Sequence, residues 1–224
     1  MKNKPLKTRI NCSPFTIIVF ILLTAIHSLQ TLGSNTNEKL VSPDKQISIV
    51  IEILEATPVY SVWFNKHQII KTSSLGFELE SSFNVGFKLI SKEKGKINRK
   101  WNPLYGENSE LSDNYNLLTI HLKENGKPYR LLNIEFRAYN EGFAFRYPFP
   151  YQALSNNWII KREHTEFRFI NGAKAFPIYS GEATFSKIPD LVKEIKPGAC
   201  YPLTINTGFG YASILEAYVV NYPL

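Results

Sequence analysis

The feature that most constrains the fold is a long series of segments in which apolar and polar residues alternate one by one. Successive side chains of a β-strand point to opposite faces, so this period of two is typical of strands that are buried on one face only. The apolar positions of the clearest runs are Ile47, Ile49, Ile51 and Ile53; Tyr60, Val62 and Phe64; Leu118, Ile120 and Leu122; and Leu132, Ile134, Phe136 and Ala138. The pattern predicts an all-β fold, built as an antiparallel sandwich or barrel.

Turn residues separate these runs and favour antiparallel neighbours. Asn125-Gly126 can adopt the positive φ angles of a tight hairpin turn between Leu122 and a strand that begins near Tyr129. Helical signals are few. The one short helix that the sequence predicts covers residues 186–195, with Pro189 near its start.

Length and composition set the scale of the domain. The chain has 224 residues, of which 44% are hydrophobic and 20% are charged. These values are ordinary for a globular protein and exclude an intrinsically disordered or collagen-like chain. The length holds one large domain or two small ones, but not two large catalytic domains. The 13% aromatic content agrees with strands, since aromatic side chains favour β-sheets.

The N-terminus has the organisation of a secretory signal. Four basic residues, the last of them Arg9, precede an apolar run over residues 15–26, and small or polar residues follow around Gly33. This order predicts a signal peptide over residues 1–33 and a mature domain over residues 34–224. The apolar run is too short for a stable membrane span, and an uncleaved signal anchor is the alternative. We therefore expect an exported protein.

The net charge does not indicate nucleic acid as a partner. The full chain carries a formal charge of +7, but cleavage after residue 33 would remove four positive charges and no negative ones, which leaves about +3. Gly208-Phe209-Gly210 precedes an apparent strand rather than a helix, so it does not match a nucleotide-binding loop. The Gly-x-Ser-x-Gly motif of many serine hydrolases is absent from the sequence.

A cluster of aromatic and acidic residues offers the chemistry of a sugar-binding surface. It contains Trp101, Tyr105, Glu107, Glu110 and Asp113. An aromatic ring provides a flat apolar face for a sugar ring, and carboxylates accept hydrogen bonds from its hydroxyl groups. The alternative is a solvated loop that a buried Trp101 holds in place. The residues alone leave both interpretations open.

One acidic residue stands out near the C-terminus. After Lys196, the only charged residue of the sequence is Glu216, and the alternation predicts a strand on which Glu216 shares a mostly apolar face with Ile214. An ionised carboxylate on such a face is costly unless a cation or several donors compensate it. Glu216 is therefore expected to have a dedicated partner, either a calcium ion or an arginine such as Arg137 or Arg146.

Seven short segments run in order through nearly the whole predicted mature chain. They are Val41-Ser-Pro-Asp-Lys, Tyr60-Ser-Val, Ser74-Leu-Gly-Phe-Glu-Leu, Trp101-x-x-x-Tyr105-Gly-Glu, Phe136-Arg-Ala-Tyr-Asn-Glu-Gly-Phe-Ala-Phe-Arg-Tyr147, Thr165-Glu-Phe and Ile214-Leu-Glu-Ala217 to Asn221-Tyr-Pro223. Together they resemble the N-terminal domain of glycoside hydrolase family 97. The segment that begins at Phe136 is the most specific of them.

The resemblance implies a β-sandwich of the galactose-mutarotase-like kind, followed in family members by a (β/α)8 barrel that carries the catalytic residues. Members of the family are exported by Bacteroidota-like bacteria, which implies a location in the periplasm or on the outer surface of a Gram-negative cell. They cleave α-glucosides by inversion or α-galactosides by retention, with calcium in the active site. The match to Glu-Ala-x-x-x-x-Tyr-Pro implies that Glu216 is one calcium ligand.

The family's catalytic carboxyl pair lies in the barrel, and this sequence stops at Leu224, before that part. We therefore expect the non-catalytic sandwich portion of an α-glucosidase or α-galactosidase, without its last strands. It would supply a wall of the substrate site, with contacts from Trp101, Tyr105 and Glu107, and Glu216 as one calcium ligand. The alternatives are a stand-alone exported carbohydrate-binding module and a subunit that docks onto a separately encoded barrel.

Overall fold

Fourteen β-strands dominate the computed structural model, which describes residues 37–80, 86–152, 158–180 and 190–217. The strands are β1 Asn37–Val41, β2 Ile47–Leu54, β3 Thr57–Phe64, β4 His67–Ser74, β5 Phe77–Leu79, β6 Phe87–Trp101, β7 Leu111–Glu124, β8 Leu131–Ala138, β9 Phe143–Arg146, β10 Ile160–Glu163, β11 Lys174–Phe176, β12 Asp190–Leu191, β13 Leu203–Asn206 and β14 Tyr211–Ile214. All their pairings are antiparallel. The predicted all-β antiparallel fold is confirmed.

The first sheet is a meander in the order β1-β2-β3-β4. The turns at Glu55-Ala56 and Asn65-Lys66 place both of their residues at positive φ angles, which matches the twist of the strands that tight hairpin turns connect. On β2, Ile47, Ile49 and Ile51 are buried, and the residues between them are partly exposed. The alternation in the sequence therefore corresponds to one buried and one solvated face.

The second sheet has the order β6-β7-β8-β9. Its strand β8 shows the clearest alternation, because Leu132, Ile134, Phe136 and Ala138 are fully buried and the residues between them are partly exposed. These apolar side chains line the inner face of the sheet, as the period of two predicts.

The buried faces of the two sheets share one hydrophobic core. Tyr60 of β3 is 1% exposed, and its ring centroid lies 6.4 Å from that of Phe136 on β8 and 5.6 Å from that of Phe145 on β9. Interdigitation of inward-facing side chains from two sheets is the packing of a β-sandwich. The predicted sandwich is therefore confirmed.

Two smaller sheets complete the described fold. One pairs β10 with β5, and the other has the order β12-β11-β13-β14. Ala175 of β11 and Ile205 of β13 are fully buried and belong to the same core cluster as the two larger sheets. The C-terminal sheet is thus packed onto the sandwich through its inner face.

The strand β6 forms an outer edge of the second sheet. Its exposed residues include Lys88, Lys92, Lys94 and Lys96. The Nζ atom of Lys94 lies 3.2 Å from the carboxylate of Glu38 on β1, and Lys92 pairs with the same carboxylate. Hydrogen bonds from these two lysines hold the pKa of Glu38 below its ordinary value. The pairs connect an edge of the first sheet to an edge of the second.

The predicted helix over residues 186–195 is wrong where the structure describes it. Asp190–Leu191 is a strand, and Val192–Glu194 forms a short 3-10 turn; residues 186–189 lie outside the described residues. The reason is pairing with β11, because Lys174 is the register partner of Leu191, and the N–H of Val192 donates to the carbonyl of Ala173 at 3.0 Å. In this pairing, backbone N–H and C=O groups form hydrogen bonds between strands, so they are not available for the hydrogen bonds of a helix.

The predicted hairpin between β7 and β8 is present, but its turn is longer than the sequence indicates. Residues 125–130 connect Glu124 to Leu131, and the positive φ angle (65°) falls on Tyr129 rather than on Asn125-Gly126. The N–H of Glu124 donates to the carbonyl of Arg130 at 2.9 Å. The loop therefore closes at its base, between Glu124 and Arg130.

A buried ion pair joins the same two residues. The side chains of Glu124 and Arg130 are 1% and 4% exposed. The Nη2 atom of Arg130 donates to Oε1 of Glu124 at 2.7 Å, and its Nε and backbone N–H donate to Oε2 at 2.9 and 3.0 Å. A carboxylate that accepts from both arms of a guanidinium forms a strong and directional pair. The pair fixes the loop against the sheet.

The predicted signal peptide over residues 1–33 lies outside the described residues, so it stays a prediction, as does the domain boundary at residue 34. The described residues all belong to one compact unit, Thr36–Leu224. Within them, no helix reaches the length and apolar character that crossing a bilayer requires.

We expect Glu124→Gln to reduce the free energy of unfolding by about 3–5 kcal/mol, because it leaves the Arg130 charge buried without its counterion. Urea denaturation would measure the loss. The matched control is Glu110→Gln, which breaks the Lys100–Glu110 pair at 2.7 Å, where Glu110 is 52% exposed. That change should cost less than about 1 kcal/mol. Equal losses in the two variants would contradict the role given to the buried pair.

Candidate functional site

The predicted sugar-contacting residues lie at the end of the β6–β7 hairpin. The two strands pair as far as Trp101 and Leu111, whereas β8 pairs with β7 only over residues 116–123. The end of the hairpin is therefore a two-stranded ribbon that extends past the four-stranded sheet. Tyr105 and Glu107 lie in the loop that closes this ribbon, so the structure brings them onto the same tip as Trp101.

The side chains at this tip are open to solvent. Trp101 is 50% exposed, Tyr105 is 90% exposed and Glu107 is also exposed. The alternative in which a buried Trp101 holds the loop is therefore wrong. The carboxylates of Glu110 and Asp113 are engaged by Lys100 at 2.7 Å and Arg99 at 2.9 Å, which leaves fewer acceptors for a sugar than the sequence indicates. A role for Trp101, Tyr105 and Glu107 in sugar binding stays a prediction.

Glu216 is placed differently from the sequence expectation. The strand β14 ends at Ile214, and Glu216 lies just beyond it with its side chain exposed. The expected apolar face therefore does not surround this carboxylate, and the desolvation argument for a buried partner does not apply. Tyr218 and Val220, which would extend that face, lie outside the described residues.

The arginines proposed as partners of Glu216 bind another carboxylate. Arg137 and Arg146 lie 2.8 and 2.9 Å from the two oxygens of Glu135. Glu135 and Arg146 are opposite each other in the β8–β9 register, and cross-strand opposite charges on one face pair readily. The two arginines named as candidate partners of Glu216 are therefore engaged by Glu135 instead.

The neighbourhood of Glu216 includes an aromatic residue and a second carboxylate. Partial burial raises the pKa of Tyr201, and the negative charges of Glu216 and Glu163 raise it further. Tyr201 is 50% exposed. The charges of Glu216 and of Glu163 on β10 thus both act on Tyr201, although these residues are far apart in the sequence.

A calcium ion requires more ligands than this neighbourhood provides. Calcium takes six to eight oxygen ligands, and the part of the chain that the structure describes contains no group of three His, Cys, Asp or Glu side chains able to hold a metal ion. The exposed carboxylate of Glu216 has suitable hard oxygen atoms, so it fits the role of a single ligand. The described residues do not form a complete site.

A cleft of about 540 Å³ opens between the first sheet and the β5–β10 pair. It is lined by the turn at Ala56-Thr57, by residues 74–77, by Gly86-Phe87 and by residues 162–166. In the sequence, Thr165-Glu-Phe is notable only as one of the family-like segments, and it did not indicate this cleft. The signal that could have indicated it is the consecutive polar run from Lys161 to Glu166, which breaks the alternation.

Comparison with known proteins decides the family. The model of the glycosyl-hydrolase 97 N-terminal domain matches residues 40–224. The chain belongs to glycoside hydrolase family 97. The family resemblance found in the sequence is therefore confirmed, and the match covers nearly all of the predicted mature domain.

Relatives of this family 97 chain are glycosidases that are much longer. A retaining alpha-galactosidase of Bacteroides thetaiotaomicron is 28% identical over 223 residues, which cover 92% of this chain and 32% of the relative. A family 97 enzyme from Pseudoalteromonas sp. strain K8, solved with panose and with acarbose, is 28% identical with a TM-score of 0.74, over 83% of this chain and 29% of that one. A beta-arabinopyranosidase at 22% identity and a TM-score of 0.71 shares the fold. The family 97 chain spans about a third of the length of these relatives.

We expect the stability contributed by Glu135 to depend on pH. Burial acts to raise the pKa of Glu135, but the hydrogen bonds and charges of Arg146 and Arg137 outweigh it and hold the pKa below its ordinary value. A lowered pKa in the folded state stabilises the protein above the unfolded pKa of about 4.3, and this contribution is lost as the pH falls through the lowered value.

The measurement is the free energy of unfolding of wild type and Glu135→Gln between neutral and strongly acidic pH. The difference should be largest near neutrality and should shrink as the pH falls below about 4.3. Glu141→Gln, at an exposed turn position, is the matched control and should stay close to wild type throughout. A Glu135→Gln difference that does not change with pH would contradict the pairing.

Proposed function

We propose that this chain is the non-catalytic N-terminal sandwich portion of a glycosidase that acts on α-glucosides or α-galactosides, and that it supplies part of the wall of the substrate site. The observation that carries the proposal is the family 97 N-terminal match over residues 40–224, in a chain that spans about a third of its relatives. A relative named as an alpha-galactosidase and another solved with panose and acarbose support α-glycosides as the substrate class.

The chemistry of glycoside hydrolysis explains why the chain is proposed to be inactive alone. The reaction needs two carboxyl groups placed about 5–9 Å apart on the two sides of the scissile bond. By the family resemblance, that pair belongs to a catalytic barrel. The barrel would come from the longer protein of which this domain is part, or from a separately encoded partner.

We further propose that Glu216 is one ligand of a calcium ion whose other ligands lie in that barrel. Support comes from the exposure of its carboxylate and from the engagement of Arg137 and Arg146 by Glu135. When bound, calcium supplies a positive charge that can hold oxygen atoms of a substrate. The contribution of this chain is to hold one exposed carboxylate just beyond the end of the strand β14.

The proposed location follows from the N-terminal sequence. The basic residues before the apolar run over residues 15–26 support export, and the family resemblance supports the periplasm or outer surface of a Gram-negative bacterium. An exported glycosidase acts on saccharides outside the cytoplasm, which agrees with the proposed substrate class. We propose no nucleic-acid partner for the chain, and no stable membrane span after the signal is cleaved.

The purified chain should not hydrolyse aryl α-glucosides or aryl α-galactosides, with or without calcium, because the family resemblance places the catalytic pair in the barrel. Release of the aryl group at high protein concentration is the measurement, with Glu216→Gln as the matched control. Calcium should leave the melting temperature nearly unchanged, since one carboxylate is too weak a site to stabilise the fold. Calcium-dependent turnover well above that of Glu216→Gln would contradict the proposal.

The second candidate function is a stand-alone carbohydrate-binding module that uses Trp101, Tyr105 and Glu107. The observation in its favour is that Trp101 and Tyr105 are exposed together at the end of one ribbon. This candidate places the saccharide contact on the β6–β7 hairpin rather than beside Glu216.

If the module is the correct function, malto-oligosaccharides should bind saturably to the chain without any enzyme partner, and Trp101→Ala should abolish binding through loss of the stacking face. Isothermal titration calorimetry would measure this. Tyr129→Ala is a suitable control, because Tyr129 is 46% exposed in the β7–β8 loop, away from the ribbon tip. Unchanged binding in Trp101→Ala would remove this candidate.

A further inference from the structure

The cleft along residues 162–166 has walls that are fixed by hydrogen bonds. The N–H of His164 donates to the carbonyl of Gly76 at 2.8 Å, and the N–H of Glu166 donates to the carbonyl of Ser74 at 3.0 Å. The two lining segments are therefore held together by backbone bonds along their length. A cleft with such walls is largely formed before a ligand arrives, which reduces the entropy cost of binding.

A chain of hydroxyl groups orients the carboxylate of Glu163. The N–H of Gly76 donates to the hydroxyl of Tyr147 at 3.3 Å, the hydroxyls of Tyr147 and Thr165 are 2.7 Å apart, and the Thr165 hydroxyl donates to Glu163. Because Tyr147 accepts from the backbone, it can donate to Thr165, which in turn donates to the carboxylate. Glu163 remains exposed at the cleft.

Glu166 is oriented in a similar way. Its Oε2 atom accepts a hydrogen bond from the N–H of Ser74 at 3.0 Å, and its carbonyl oxygen accepts one from the hydroxyl of Tyr60 at 2.7 Å. Tyr60 belongs to the core of the sandwich, so the position of Glu166 is tied to the buried core. Its side chain is exposed.

An arginine and a histidine lie beside these two carboxylates. Arg162 and His164 are exposed and line the same cleft, and the Nε2 atom of His164 is 3.8 Å from the carboxylate of Glu78. The lining of the cleft thus contains the acceptors Glu163 and Glu166, which hydrogen bonds orient, and the donor Arg162.

Mixed charge of this kind selects against ions. The carboxylates of Glu163 and Glu166 disfavour an anion, and the guanidinium of Arg162 disfavours a cation. The described residues also contain no cluster of three metal-ligating side chains. A neutral ligand with many hydroxyl groups can pair with the carboxylates and with the guanidinium, because each hydroxyl can donate to a carboxylate and accept from a guanidinium.

We propose that this cleft is a saccharide-binding subsite of the sandwich, formed by Arg162, Glu163, His164 and Glu166, which takes a short neutral oligosaccharide. The volume of about 540 Å³ lies within the range of small-molecule sites, about 300–1,000 Å³. The subsite is separate from the ribbon tip at Trp101. The choice of an α-linked saccharide rests on the proposed function, whereas the binding of a polyhydroxyl ligand rests on the cleft itself.

The test is a titration of the purified, 15N-labelled chain with panose, followed by NMR. Amide resonances of residues 74–77 and 162–166 should shift saturably, with a dissociation constant on the order of 1 mM, as expected for an open cleft. Sorbitol at the same concentration is the control for a general polyol effect and should leave these resonances unchanged. Equal shifts with sorbitol, or no shift with panose, would overturn the proposal.

Variants locate the subsite. Arg162→Gln and Glu163→Gln should each weaken panose binding by about fivefold or more, because each removes a charged hydrogen-bonding group. Glu141→Gln, an exposed residue at the β8–β9 turn, is the matched control and should bind as wild type does. If Glu163→Gln alters the near-ultraviolet circular dichroism, Arg162→Gln decides the outcome, because its side chain is exposed on the strand β10. Unchanged binding in Arg162→Gln would overturn the proposal.

The location of the shifts separates this proposal from the others. Shifts confined to residues 101–107 would overturn the cleft and favour the stand-alone module. If the chain neither binds panose nor hydrolyses glycosides, the proposal of a saccharide subsite in the cleft is overturned. The assignment of the domain would then still stand. Hydrolysis of aryl glycosides by the chain would overturn the domain assignment, whatever the cleft binds.

Discussion

The packing of Tyr60 is the interaction on which the rest of the described domain depends. Its ring lies between the two large sheets, in contact with Phe136, Phe145 and Phe167, and its hydroxyl donates to the carbonyl of Glu166 at 2.7 Å. Burial raises the pKa of Tyr60, so the hydroxyl remains a hydrogen-bond donor. One side chain thereby connects the hydrophobic core to the backbone that places the polar groups of the cleft.

The strands could be predicted from the sequence wherever one face of a sheet is buried. In β8, Leu132 and Phe136 are fully buried and Asn133 and Arg137 are partly exposed, so the sequence carries the pattern of the sheet directly. The antiparallel sandwich and the family followed from such runs and from a few distinctive segments. Both depend on local order along the chain, which a single sequence records.

The remaining features depend on pairings that the alternation of residues does not record. The register between β8 and β9 brings Arg146 to Glu135 and so removes it as a partner of Glu216. Pairing of Glu124 with Arg130 sets the length of a loop that Asn125-Gly126 alone predicts to be shorter. The cleft forms because β5 and β10 pair. Strand register and long-range charge pairing are properties of the folded domain that no local pattern specifies.

The row of lysines on β6 bears on how this protein behaves when it is crowded. A fifteen-residue strand at the outside of a sheet presents unpaired backbone groups to which a neighbouring molecule could add a strand of its own. Lys92 and Lys94 pair with Glu38 of β1, and exposed charged residues, which include Lys88, Glu93 and Lys96, lie along the same strand, so an approaching strand would have to desolvate charged side chains. Charged side chains along a long edge strand disfavour the addition of a strand from another molecule.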